Sequence, residues 1–237
     1  MPIIERDAYF KYLEKKGQNG YRAAILVKKA SETLYSLLVA SETVPSVFGS
    51  KESFEFDLLN SPVKGKIEGK MSLDDKEVEV LHHRDNVYRF EKLKNQVLDF
   101  MVVDSQFVGY KFTGTLSYRM NDATADVLRG TYTITPMSAD PTPVINARSL
   151  CQETLCFASV VPDEVNSGDV ISLSVVQTNA TVTYKSFLIN NDGTEGTSTS
   201  IADGEFTAPI TEGLYGITAT AEGYAPWTTT VFVRATT

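Results

Sequence analysis

Two histidines, two cysteines and one tryptophan in 237 residues leave little of the side-chain chemistry from which metal centres and many active sites are built. Cys151 and Cys156 lack the x2 to x4 spacing of zinc ligands and have no histidine after them, which excludes a zinc finger or ribbon. Two thiols this close in sequence also make no disulfide scaffold, so they read as structural or buried groups. His82 and His83 are adjacent at the end of an alternating segment, where successive side chains point to opposite faces, so they cannot easily share a metal or a substrate. No stretch approaches the ~18 uncharged apolar residues of a membrane span. The first residues, Met1 to Lys11, interleave charges with apolar groups and offer no h-region, so no secretory signal is expected there.

Also absent are the phosphate loop G-x-x-x-x-G-K-[ST], the G-x-S-x-G elbow, the H-E-x-x-H zinc helix and the dinucleotide fingerprint. The acids Asp74, Asp75, Glu77 and Glu79 are gathered as a catalytic pair or cation site would be, but they sit between two alternating segments and read as a solvated turn and strand face. Asn190-Asn191-Asp192-Gly193 lacks the alternating acids and closing glutamate of a calcium loop, so a hairpin turn is the simpler account. No catalytic, cofactor-binding or metal-binding residue is expected, and no enzyme.

What the chain does hold is a core-forming composition, 42% hydrophobic with a mean hydropathy of -0.12, which argues against wholesale disorder. Its net charge of -8 discourages general affinity for nucleic-acid phosphates. That charge is uneven. Residues 1–160 carry 20 Lys+Arg against 21 Asp+Glu, whereas residues 161–237 carry only Lys185 and Arg234 against nine acids. The second stretch is also rich in Ser and Thr, so a domain boundary is expected near Val161-Pro162-Asp163.

Period-two alternation dominates the first part, the pattern of half-buried antiparallel strands. Val63 to Leu73 sets Val63, Ile67 and Met71 against Lys64, Lys66 and Lys70. Phe107 to Met120 sets Tyr110, Phe112, Leu116 and Tyr118 against small and polar residues, and Leu128 to Thr135 sets Tyr132 and Ile134 against threonines. Shorter strands are predicted at 35–40, 53–58, 77–81 and 97–103, and the ambiguous stretch 18–31 reads as a strand over 21–27 or a poorly amphipathic helix, with the strand favoured. One helix is predicted from Asp85, as its cap, to about Gln96, with Val87, Phe90 and Leu93 as its apolar stripe and Asp85, Arg89 and Lys92 on the opposite side. After residue 161, short strands at 170–176, 181–189, 204–207, 215–221 and 229–234 alternate with turn signals such as Asn191-Asp192-Gly193. The expected fold is therefore mainly β: a β-sandwich or barrel with one packed α-helix over 1–160, then a small immunoglobulin-like β-sandwich over 161–237.

Two segments fit neither sheet nor helix. The N-terminal arm, 1–20, sets Tyr9, Phe10 and Tyr12 among charges, and the long loop, 40–52, carries Val44, Val47 and Phe48 as exposed-looking apolar residues. Such segments are either mobile or bound to a neighbour: long loops inside compact domains are usually functional, and an ordinary loop is the competing account.

The succession of a long loop, Val63-Lys-Gly-Lys-Ile-Glu-Gly-Lys-Met71, Glu77-Val-Glu-Val-Leu-His-His83, the helix from Asp85 to Lys94, Val97-Leu-Asp-Phe-Met-Val-Val103 and Phe107-Val-Gly-Tyr-Lys-Phe-Thr-Gly-Thr-Leu-Ser117 resembles the major tail protein, or tail tube protein, of long-tailed bacteriophages. Gly130-Thr-Tyr-Thr-Ile-Thr-Pro-Met-Ser-Ala-Asp140 is similar to the closing strand of that family, and the likeness covers residues 20–140. The resemblance implies a structural virion protein: a homo-hexamer whose rings stack into a tube, assembled in the host bacterial cytoplasm and carried in the virion tail. The implied partners are the tape-measure protein, the tail terminator and DNA passing transiently and non-specifically through the lumen. On this reading 1–20 and 40–52 make ring-to-ring contacts, through Tyr9, Phe10, Tyr12, Val44, Val47 and Phe48, and residues 161–237 form an outer domain. The Lys64, Lys66, Lys70 face would attract phosphates and is expected to point away from the lumen. Other readings are a tube component of a contractile injection or secretion system, a bacterial surface or adhesion module, and an enzyme with a carbohydrate-binding C-terminal domain in which Trp227 and Tyr224 stack on sugar.

Overall fold

The computed structural model describes residues 24–39, 44–45, 47, 51–56, 65–71, 73–103, 107–122, 128–137, 141–177, 179 and 181–235. The alternating segments form strands, and the chain is mainly β, with a single α-helix among the described residues. The first part gives β1 (Ala24–Lys29), β2 (Ser36–Leu37), β3 (Lys51–Phe56), β4 (Gly65–Met71), β5 (Lys76–Leu81), α1 (Arg84–Leu93), β6 (Leu98–Val103), β7 (Gly109–Met120), β8 (Arg129–Pro136) and β9 (Thr142–Val144). A 3-10 turn, Ala147–Leu150, leads on to β10 (Glu164–Asn166), β11 (Val170–Ser172), β12 (Thr183–Leu188), β13 (Thr199–Ile201), β14 (Glu205–Thr207), β15 (Gly213–Thr220) and β16 (Trp227–Arg234).

Seven strands make one sheet in the order β2-β1-β6-β7-β8-β5, with β9 also paired to β7. The register puts Phe100 opposite Phe112, Leu116 opposite Ile134 and Val78 opposite Tyr132, so one face of the sheet is a continuous apolar surface. Leu93 of α1 covers it with Leu38 and Val39, and Phe90 packs alongside. Each large side chain buried there contributes roughly 1.5–3 kcal/mol. Val47, 5% exposed, belongs to the same cluster and half-buried Val44 packs on it. Val44 and Val47, which look exposed in sequence, are thus packed against the core of their own chain.

Strands β3 and β4 stand apart. They pair with each other, Phe54 opposite Ile67 and Glu55 opposite Lys66, as a two-stranded ribbon that joins no other sheet among the described residues.

The second part forms a five-stranded sheet, β10-β16-β15-β12-β13, and a two-stranded sheet, β11-β14. Between them lie Ile171, Leu173, Phe206, Tyr215, Ile217 and Val231. Strands β9, β10 and β13 carry no alternation long enough to be seen in sequence; β10 is held by parallel pairing to β16.

The change of composition at residue 161 is not a gap in packing. A single hydrophobic cluster runs from Leu26, Leu37 and Met101 on the other face of the first sheet, through Leu155, Phe157 and Val161, to Trp227 and Val233. Residues 150–155 act as a strap between the two parts. On one side Tyr35 N–H donates to Leu150 O (2.8 Å) and Gln152 N–H to Tyr35 O (2.8 Å); on the other, Leu155 N–H donates to Ala225 O (3.0 Å) and Ala225 N–H to Glu153 O (2.7 Å). The β2 edge of the first sheet is therefore covered by the chain's own strap, which protects it from unwanted pairing.

Candidate functional site

Half of the ten residues of α1 are charged, and the structure gives Asp85 and Arg89 an unexpected role. The helix begins one residue earlier than predicted and ends at Leu93. Its cap is His83, whose Nδ1 accepts from the Asp85 N–H at 3.2 Å, while Nε2–H donates to Asp163 Oδ1 at 2.8 Å. Asp85, freed from capping, is only 4% exposed and reaches into the C-terminal sheet. Its Oδ1 accepts from Thr230 N–H (2.8 Å) and Thr230 Oγ1 (2.7 Å), and its Oδ2 accepts from Thr229 Oγ1 (3.0 Å). One turn on, Arg89 donates to the carbonyl oxygens of Leu37 and Leu38 and lies 4.9 Å over the ring of Trp227. The side of the helix predicted to face water is thus the docking face for the second part. Lys94 does pair with Glu91 as an ordinary helix pair.

Next to these, buried Tyr88 meets Phe187 with ring centroids 6.2 Å apart, and its hydroxyl donates to Glu195 Oε1 at 2.5 Å. Lys92 Nζ stands 2.9 Å from the same carboxylate. The Tyr88 hydrogen bond, aided by Lys92, holds Glu195 below its usual carboxylate range, while burial and that bond push the Tyr88 phenol up. Beside this junction opens a cleft of about 740 Å³ between α1 and the 189–193 turn, with Val87, Ile189 and Leu214 among its walls and Arg84, Lys94 and Asp192 at its rim.

His82 Nδ1 lies 2.6 Å from the Tyr118 hydroxyl and stacks on that ring, whereas His83 serves the helix cap, so the two imidazoles diverge to separate partners. Cys151 is pushed up to about 12 by burial and donates to Ala147 O at 2.9 Å, which leaves it a poor nucleophile. Among the described residues no group of three His, Cys, Asp or Glu could hold a metal ion, and no helix is long and apolar enough to cross a membrane. Trp227 is 4% exposed and half-buried Tyr224 packs on the same cluster, so neither forms an open platform for sugar.

Of the candidate contact residues, Tyr9, Phe10, Tyr12 and Phe48 lie outside the described residues, as do the start and centre of the long loop; Val44 and Val47 are drawn into the chain's own core. Reading by sequence missed Asp85, Thr229, Thr230 and Trp227 as parts of one constellation. The available signal was Tyr88, an aromatic residue placed on the helix face opposite Val87, Phe90 and Leu93.

A second surface concerns assembly. Strand β7 pairs β6 only from Gly109 to Gly114, and β8 takes its other edge from Gly114 on. From Thr115 to Met120 the β6-side edge of β7 has no strand partner among the described residues, and neither has the outer edge of β5. Among the described residues the lobe β7-β8-β5 is thus open at both sides.

Compared with known proteins, the chain matches no family model and no curated protein sequence.

Proposed function

We propose that this chain is a structural tube protein of a long-tailed bacteriophage: a homo-hexameric ring that stacks into the tail tube, encloses the tape-measure protein, meets the tail terminator at its end and provides the path for DNA. The observation that carries the reading is the β3–β4 ribbon. An isolated two-stranded ribbon is marginal in water, and open edges of the kind seen on β5 and β7 invite pairing. Both become stable when identical chains join edge to edge, and a head-to-tail joint that closes on itself makes a ring. The order β4, β5, α1, β6, β7, β8 supports the same reading, since it is the order of elements by which the sequence resembles the tail tube family. The C-terminal part, read as an immunoglobulin-like domain, then decorates the outside of the tube, held by α1 and the strap. Its acidity keeps neighbouring particles apart.

The mechanism is passive, a walled channel without a chemical step. Negative-stain microscopy of the purified full chain tests it. Rings or tubes on the order of a hundred ångströms across, the size expected for six such domains in a circle, support the proposal, and a strict monomer at high concentration refutes it.

A further inference from the structure

Strands β1, β6 and β7 bring three polar side chains into one row: Lys28 stands opposite Asp99, and Asp99 opposite Thr113. Lys28 Nζ lies 2.8 Å from Asp99 Oδ2, and Thr113 Oγ1 donates to Asp99 Oδ1 at 3.0 Å. Burial alone would raise Asp99, but the bonds from Lys28 and Thr113 outweigh it and hold the carboxyl below its usual range. Two positions before Thr113, exposed Lys111 stands opposite Thr142 of β9. Tyr35, just before β2, is fixed by its backbone bonds to the strap, and Lys28 Nζ lies 5.4 Å over its ring. These groups line one cavity of about 380 Å³, with Leu150 as an apolar wall.

Two features set this cavity apart from an ordinary surface ion pair. Tyr35 is 4% exposed, yet its hydroxyl has no hydrogen-bond partner among the described residues. Buried hydroxyls are nearly always bonded, so a bare one at a cavity wall marks the place of an absent acceptor. Burial, with Asp99 nearby, pushes the phenol up to about 12, so at neutral pH it keeps its proton. Lys111 likewise has no hydrogen-bond or ion-pair partner among the described residues. Two ammonium groups therefore face a single carboxylate, and that carboxylate is already bonded through both oxygens.

We infer that this cavity binds the phosphate group of a small organic phosphate monoester. Tyr35, Lys28 and Lys111 offer donors, and the hydroxyls of Thr33 and Thr142 add two more, so the ligand must be rich in acceptors and negative. A carboxylate presents two oxygens to this set, whereas a phosphate monoester presents three. The volume lies within the roughly 300–1,000 Å³ of ligand cavities, which leaves room for an organic body against Leu150. Tyr35 is recessed and Lys28 mostly covered, so a terminal phosphate enters but a duplex phosphate, flanked by sugars on both sides, does not. The site is complete within one chain and is independent of the tube reading.

Calorimetric titration of the purified full chain with phenyl phosphate, inorganic phosphate and benzoate tests the assignment. Phenyl phosphate is expected to bind with a Kd below ~1 mM, inorganic phosphate at least threefold more weakly and benzoate at least tenfold more weakly. Lys111→Gln and, separately, Tyr35→Phe should each weaken phenyl phosphate by about tenfold, since each removes a donor to a charged group, while Lys185→Gln in the C-terminal part changes nothing. The Tyr35 hydroxyl has no protein partner, so Tyr35→Phe should keep the parent Tm. No binding of phenyl phosphate, or binding that neither variant weakens, overturns the site. A lowered Tm for Tyr35→Phe overturns the open donor on which it is built. Benzoate binding as tightly as phenyl phosphate refutes phosphate as the ligand group, equal binding of inorganic phosphate refutes the organic body, and displacement of phenyl phosphate by a short DNA duplex refutes the monoester.

Discussion

Replacing Asp85 by alanine should loosen the whole molecule, because its carboxylate is the most heavily bonded group at the junction. It is 4% exposed and accepts three hydrogen bonds from Thr229 and Thr230, at 2.7 to 3.0 Å. Hydrogen bonds to a charged group contribute ~1.5–3 kcal/mol each, but the three share one acceptor and do not add. Alanine leaves the Thr230 N–H and two hydroxyls without this acceptor, and Thr230 is only 1% exposed, so water does not replace it readily. Breaking a buried charged network from one side costs about 3–5 kcal/mol, a large share of the ~5–15 kcal/mol that holds a typical domain. Asp85→Asn keeps one oxygen of the right shape for Thr230 and should cost only ~1–2 kcal/mol. Urea unfolding followed by the fluorescence of Trp227, the single tryptophan, reads the junction directly, since Arg89 lies over its ring. An Asp85→Ala variant within about 0.5 kcal/mol of the parent chain, with the same midpoint, refutes the argument that this carboxylate couples the two parts.

Tyr88→Phe should destabilise the protein at neutral pH by less than about 1 kcal/mol, because Glu195 is partly solvated. A carboxylate held below its usual range contributes stability above the unfolded pKa and loses it as pH falls through the folded one, so the difference between Tyr88→Phe and the parent chain should shrink as pH falls below the ordinary carboxylate range; a constant difference in pH-dependent urea titrations refutes it. Gly216→Ala would place a methyl 2.6 Å from the buried Phe187 ring, which packs on Tyr88, and should cost ~1–3 kcal/mol in thermal unfolding; an unchanged Tm refutes it. Both thiols should resist a disulfide reagent at pH 8 until the chain is unfolded, since burial raises Cys151 and Cys156 is 2% exposed. Fast reaction of either in the native protein contradicts this.

The strands were legible in sequence wherever alternation ran for six residues or more, as in Phe112, Leu116, Tyr118 and Tyr132, Ile134, because one face of each meets a core and the other meets water. The ambiguous stretch near residue 24 did become a strand, β1. Short strands such as β10 and β13 left no such trace, their positions being set by the partners they pair with. Val44 and Val47 look exposed in sequence because they sit outside any periodic pattern, and only tertiary packing decides their burial.

Sequence by itself determined the class of fold and the helix that follows His83, since periodicity and residue type are local properties. Tertiary structure alone decided what the charged side of α1 does. Asp85 and Arg89 are spaced as surface charges on any amphipathic helix are, and nothing in that spacing tells water from a second layer of protein. Thr229 and Thr230, ordinary strand residues in a Ser- and Thr-rich segment, are buried with them because a carboxylate taken out of water is stable only where donors converge on it. Those donors come from 144 and 145 residues away along the chain, a distance that only folding closes.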